Sequence, residues 1–183
     1  MYAGHFAAGL ALKGKVPEAP TWALLLGVTF LDLLFGPLVL LGVEHLTPTP
    51  GVSPGFRLDF IDWSHSLAMA VVWSLLAGAL FLKKGRTVAA AVAIAVFSHF
   101  ALDFPMHPGD LALYPHSVEH LGLGLWKVLP TGWWFVELAF VVPALGYYVM
   151  RARKLGTFGG RAEIACAVVL VLHVTNSPWL APK

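Results

Sequence analysis

"FSHFALDFPMHPGD", residues 97–110, closes a run of ten residues that is almost wholly apolar. It sets His99, Asp103, His107 and Asp110 at the end of that run. His99 and Asp103 are four residues apart, so on a helix they share one face. What such a face does depends on whether the helix lies in water or in lipid, and composition decides between them. The chain of 183 residues is 58% hydrophobic and 12% charged, with a mean hydropathy of +0.75. Soluble domains carry roughly a quarter charged residues. The expected fold class is therefore all-α: one polytopic helical membrane domain over residues 1–183.

Working outward, five stretches approach the ~20 apolar residues that cross a hydrocarbon core. They cover roughly 21–42, 62–82, 87–106, 132–150 and 162–181. Residues 1–12 form a sixth, shorter apolar segment, expected to pack against the others as a half-helix, a re-entrant piece or a tilted helix. Pro37 and Pro143 fall inside spans and are expected to kink them. Lys and Arg give the orientation. Lys13 and Lys15, then Lys83, Lys84 and Arg86, then Arg151, Arg153, Lys154 and Arg161 occupy alternate loops, which the positive-inside rule puts in the cytoplasm. The opposite loops, 43–61 and 107–131, contain only Arg57 and Lys127 as basic residues and should face outward.

Other classes are set aside on composition. A net charge of +2 and the lack of a basic stripe with interleaved aromatics argue against nucleic acid as a partner. Cys166 is the single cysteine, so no intrachain disulfide or thiolate cage forms. It reads as a small packing residue in an apolar run. No basic region precedes the first apolar segment, so a cleavable signal peptide is not expected.

Counting ~1.5 Å per residue along each span places the intramembrane polar residues at one depth, the outer half of the bilayer. They are His5, Asp32, His65, His99 and Asp103, from four segments. Each ionisable group at depth costs roughly 2.5–3.5 kcal/mol on insertion scales, so five together need compensation. Mutual hydrogen bonding is one solution. A divalent metal is a better one, because it takes neutral imidazole nitrogen and carboxylate oxygen together. The set lacks thiolate, which suits Zn²⁺ first and also Mn²⁺ or Fe²⁺. His5, His65, His99 and Asp103 are the expected metal ligands, with Asp32 as general base or a further ligand. "HSVEH" at 116–120 puts His116 and His120 at a spacing that could bind metal on one helix face, but solvent-facing residues are the simpler reading. Glu137, His173 and Asn176 are expected to orient ligands or to form a separate polar contact. His107 and Asp110 read as loop residues at the mouth, since Pro-Gly signals a turn. Glu44 and His45 are expected to be solvated.

These motifs resemble the YdjM-type (YbcI-like) group of small bacterial inner-membrane proteins regarded as metal-dependent hydrolases. That group has a His in a short N-terminal apolar segment, a "PDxDH"-like motif, an "HRGxTHS" motif and an "SHxxxD" motif. Here "GHF" at 4–6 supplies His5, "TFLDLLFG" at 29–36 supplies Asp32, "DWSHSL" at 62–67 supplies His65 and Ser66, and "FSHFALD" at 97–103 supplies Ser98, His99 and Asp103. The resemblance covers roughly residues 1–125. The chain departs from it in keeping one carboxylate of the acidic motif and in carrying Phe60, Ile61 and Asp62 where "HRG" would stand. The constellation and the resemblance together imply a metal-dependent hydrolase; the shallow depth of the polar residues would let a lipid head group enter laterally at the outer leaflet, so an ester, phosphoester or amide of a lipid-like molecule is the expected substrate. The alternatives are a transporter of protons or divalent cations, a metal-stabilised scaffold, and a di-heme protein with axial histidines.

Overall fold

The computed structural model describes residues 1–50 and 56–180. The chain is mostly helical. Helix α1 (Tyr2–Lys15) is followed by α2 (Thr21–Val28) and α3 (Phe30–Leu40). A hairpin of β1 (His45–Pro48) and β2 (Phe56–Phe60) leads to α4 (Asp62–His65) and α5 (Leu67–Ala79). Helix α6 (Arg86–Asp103) precedes a second short hairpin, β3 (Leu111–Ala112) with β4 (His120–Leu121). Helices α7 (Leu125–Val128), α8 (Gly132–Lys154) and α9 (Gly160–Thr175) complete the described chain. The two hairpins depart from the all-α expectation. Both lie in loops read as outward-facing, and residues 51–55 of the first and the last residue of the 162–181 span fall outside the described residues.

Among the described residues, two helices are long and apolar enough to cross a membrane, α6 with 18 residues and α8 with 23. A third crossing is available if α2 and α3, bent by 54° at their junction, act as one span. The other two expected spans are shorter as helices: α5 has 13 residues and α9 has 16. The bend in the first span sits at Thr29 rather than at Pro37. The Thr29 hydroxyl donates back to the carbonyls of Leu25 and Leu26 while its own N–H reaches only to Leu26, which tightens the turn and opens the helix there. The 62–82 span breaks at Ser66, whose extended backbone (ψ 154°) and side chain cap α5 by accepting from Met69 N at 3.3 Å.

The short N-terminal segment is the centre of the bundle. Helix α1 packs against α8, α2, α9 and α6. Lipid tails are as apolar as leucine, so helices in a membrane associate by close packing rather than by escape from water, and small residues allow that approach. The sequence of α1 is built for it: Ala3, Gly4, Ala7, Ala8, Gly9 and Gly14 are all buried. One apolar cluster joins α1 to α8 and α9 through Leu10, Val141, Leu145 and Val169. Another joins α1 to α2 and α6 through Ala8, Leu24, Val28 and Val92. A third, around Leu31, Ile61, Val96 and Phe100, fixes α3, α4 and α6 beneath the hairpins. The outward faces stay apolar, as Leu75, Leu76, Val142, Ile164 and Val171 show.

The α5–α6 pair depends on Gly78, where an added Cβ would meet the Ala89 carbonyl oxygen at 2.9 Å and Ala93 Cβ at 3.0 Å. Gly78→Val is expected to destabilise the detergent-solubilised protein by roughly 1–3 kcal/mol, the usual cost of overpacking. Gly146→Ala, in α8 with nothing within 4 Å, is expected to leave stability unchanged or raise it by up to ~1 kcal/mol. Thermal unfolding of the two variants checks the pair.

Candidate metal centre

Four segments deliver the five residues singled out by sequence to one place. His5 comes from the first turns of α1, Asp32 from the first turn of α3, His65 from the end of α4, and His99 with Asp103 from the last turns of α6. His5, His65, His99 and Asp103 are buried, and the Asp32 side chain is 55% exposed. Two groups have ligand atoms close enough to share an ion, His5–His99–Asp103 and Asp32–His65–His99. His99 belongs to both.

The tautomers follow from the partners. His99 Nδ1 lies 2.7 Å from the Val28 carbonyl oxygen, at the bend between α2 and α3. A carbonyl only accepts, so Nδ1 donates, and the Nε2 of a neutral ring carries a lone pair. His65 Nδ1 lies 2.6 Å from Ser64 Oγ. Ser64 Oγ reaches Glu44 Oε1 and Oε2 at 3.0 and 2.8 Å, and its backbone N–H donates to the same carboxylate at 2.7 Å. With the serine proton directed to Glu44, His65 Nδ1 donates to Ser64, and its Nε2 also carries a lone pair. His107 Nδ1 donates to Asp110 Oδ1 at 2.9 Å, which leaves its Nε2 in the same state. Partners of this kind fix the tautomer and orientation of metal-binding histidines.

The three Nε2 atoms face carboxylate oxygens. His65 and His99 stand 3.5 and 3.6 Å from Asp32 Oδ1. His99 and His107 stand 3.1 and 3.6 Å from Asp103 Oδ2. His5 Nε2 is 3.1 Å from Asp103 Oδ1, which also lies 2.6 Å from the Met1 amino group. His99 Nε2 and His5 Nδ1 are buried without a hydrogen-bond partner among the described residues. Lone pairs pointed at carboxylates repel unless positive charge lies between them. Separate protons would create adjacent imidazoliums, and the His5 and His99 rings are stacked at 4.0 Å and 3°. A dication held by His5–His99–Asp103, or by Asp32–His65–His99, would answer the lone pairs of that group together. Ligand atoms ~2.0–2.1 Å from a tetrahedral zinc are about 3.3–3.4 Å from one another, and the 3.1–3.6 Å separations bracket that edge. The nitrogen and oxygen donors present fit such an ion.

Several expectations are corrected here. His107 lies in the loop after α6 and lines the cleft, as expected, but its side chain is buried rather than open to solvent. His107 N bonds to Asp103 O at 2.9 Å, a single turn that folds the loop back against the end of α6. The series 99, 103, 107 in steps of four was the available signal. Glu44 is 1% exposed, not solvated, because it receives the N–H and hydroxyl of Ser64, twenty residues on. "HSVEH" forms no helix. Tyr114 and Pro115 lead into a turn with His116 at φ 64°, and its N–H donates to Asp62 Oδ2 at 2.8 Å. Asp62 is thereby spent on tying the second hairpin to α4. Glu137 and His173 follow the second of the two expected alternatives, a separate polar contact: Glu137 Oε1 accepts from Gly4 N at 2.9 Å, and His173 Nδ1 stands 3.6 Å from its Oε2.

Residues 62–179 match the family described as YdjM inner membrane protein, over more than half of the sequence. The chain belongs to that family. Membership and the apolar helices together support an inner-membrane location. The matched stretch contains His65, His99, Asp103 and His107, while His5 and Asp32 come from the preceding helices. No curated protein and no solved structure shows a significant match.

Two measurements probe this geometry. Asp103→Asn and His107→Ala are each expected to lower Zn²⁺ affinity at least about tenfold, and Asp110→Ala by about 10–100-fold through the freed His107 ring. His116→Ala should change nothing. Protons compete for the same nitrogens, so affinity should fall as pH drops through the ordinary imidazole range near ~6.5. Competition titration with a chromophoric chelator reads both effects.

Proposed function

We propose that the protein is a multi-pass, metal-dependent hydrolase that acts near the outer leaflet on a lipid-like ester, phosphoester or amide. The observation that carries this reading is the convergence of His65 and His99 Nε2 on Asp32, and of His99 and His107 Nε2 on Asp103, with every Nδ1 already committed. His5, His65, His99 and Asp103 would hold the ion, Zn²⁺ before Mn²⁺ or Fe²⁺, with His107 added to the set. When bound, a divalent ion supplies Lewis-acid activation of water near neutral pH. The chain's own groups do the rest. The Val28 carbonyl, Ser64 and Asp110 hold the imidazoles in register. Asp32 is the one half-exposed member of the cluster, and it opens on a cleft of about 1150 Å³ that His5, His65, Asp103 and His107 also line. From there its carboxylate accepts a proton from water as general base.

Five crossings suit this reading: the bent α2–α3 pair, α4–α5, α6, α8 and α9, with α1 packed among them. The shorter helices are accommodated by local thinning of the bilayer at modest cost. The alternation of basic loops supports a cytoplasmic position for residues 83–86 and 151–161 and an extracytoplasmic cleft. In a Cys166→Ser background, Lys84→Cys and Thr157→Cys should resist an impermeant thiol reagent in intact cells, and Pro50→Cys should react. The reverse pattern would move the site to the inner leaflet.

Activity is tested by lipid turnover in membranes containing the wild type or a variant. Asp32→Asn should reduce product formation by about 10²–10⁴-fold, the range for loss of a general base. Full turnover by folded Asp32→Asn and His99→Ala variants would sink the mechanism. Metal-dependent ion flux into liposomes without any product would favour the transporter.

A further inference from the structure

The outer loops hold two basic side chains, Arg57 and Lys127, from opposite ends of the sequence between the first and fourth spans. Both line the cleft above Asp32, His65 and Asp103. Arg57 stands on β2 opposite Thr47 of β1. Its Nε donates to Asp59 Oδ1 at 2.7 Å, and Thr47 Oγ1 donates to Asp59 Oδ2 at 2.5 Å. A guanidinium offers five N–H donors, and this clamp uses only the one on Nε. The hydrogen bonds from Thr47 and Arg57 hold the Asp59 carboxyl below its ordinary range, so the clamp stays charged well into acid. The Arg57 side chain is 70% exposed, with its terminal NH₂ groups available to a ligand. Lys127 reaches the cleft from α7, beside Trp126, whose ring packs on His107 at 4.7 Å. The same cleft is lined by the apolar Phe35, Phe56, Leu58, Ile61 and Trp126.

We propose that the cleft selects an amphiphile with a phosphate-type anionic head group. The head group bridges Arg57 and Lys127 over the Asp32–His65–His99 cluster, and the chain lies along the Phe35–Phe56–Trp126 wall. This rests on the hydrolase reading and narrows its substrate. A neutral ester or amide head would offer no charge to Lys127 or to the terminal NH₂ groups of Arg57, and free phosphate would leave the apolar wall bare. The volume, about 1150 Å³, exceeds the ~300–1,000 Å³ typical of small-ligand sites and accommodates a head group with part of a chain.

The test compares three probes on the full-length protein in a neutral detergent: dihexanoyl phosphatidic acid, dihexanoylglycerol and inorganic phosphate. Each charge-assisted contact to phosphate is worth about tenfold in affinity. The phosphatidic acid should therefore bind about a hundredfold more tightly than dihexanoylglycerol, and more tightly than inorganic phosphate. Arg57→Gln combined with Lys127→Gln should erase most of that preference without changing zinc content or melting temperature. Equal binding of the two lipids, inorganic phosphate binding as tightly as the phosphatidic acid, or a preference undiminished in the double variant would overturn the proposal. The hydrolase reading fails separately: a wild type that prefers the phosphatidic acid but takes up no metal refutes that reading and leaves the head-group preference standing.

Discussion

One hydrogen bond sets the terms for the rest of the site. His99 gives its Nδ1 proton to the Val28 carbonyl, and its Nε2 lone pair is then left facing Asp103 and Asp32. In water such a lone pair would find a donor. At this depth His99 has no exposure and its Nε2 finds none among the described residues. Leaving one buried polar group unpaired costs about 1–3 kcal/mol, and two carboxylates facing imidazole lone pairs cost more. The fold repeats the same device at His65, through Ser64 and Glu44, and at His107, through Asp110. Three rings are thus locked with their second nitrogens aimed at shared carboxylates. The His5–His99–Asp103 and Asp32–His65–His99 groupings within that arrangement could each hold a metal ion.

The scaffold serves this geometry by breaking its own helices. The bend at Thr29 brings the Val28 carbonyl to His99 and turns Asp32 back over the cluster. The break at Ser66 lets His65 end one short helix while Ser66 starts the next. Helix α1 passes through the middle, thin enough in its Ala and Gly positions to bring His5 against His99. Glu137 of α8 anchors its first turn at Gly4, one residue before His5. Irregular backbone at membrane depth is tolerated where it lines a cavity, and Asp32 and His65, which follow and precede these breaks, line the cleft.

The parts legible in the sequence are those encoded by local spacing in an apolar background. His99 and Asp103 stand out because four residues make one helical step and nothing else in α6 is polar enough to compete. His5, Asp32 and His65 could be placed at the same depth by counting rise per residue. What escaped depends on contacts far along the chain. Glu44 looks like a solvated loop carboxylate until Ser64 folds onto it. His107 lies beyond Pro105 and beside Pro-Gly, in a loop as those residues signal, yet a turn back onto Asp103 buries its side chain. The span breaks at Thr29 and Ser66 are side-chain-to-backbone choices that apolar periodicity does not register. Uniform hydrophobicity likewise hid that the shortest apolar segment, α1, is the most enclosed.

The most direct test is elemental analysis of the purified protein beside His99→Ala, each stripped with chelator and then reconstituted with Zn²⁺, Mn²⁺ or Fe²⁺. The account predicts stoichiometric metal in the wild type and a near-complete loss in the variant, with both proteins folded. A wild type that stays metal-free with all three ions, or a His99→Ala variant that binds as much as the wild type, would contradict it.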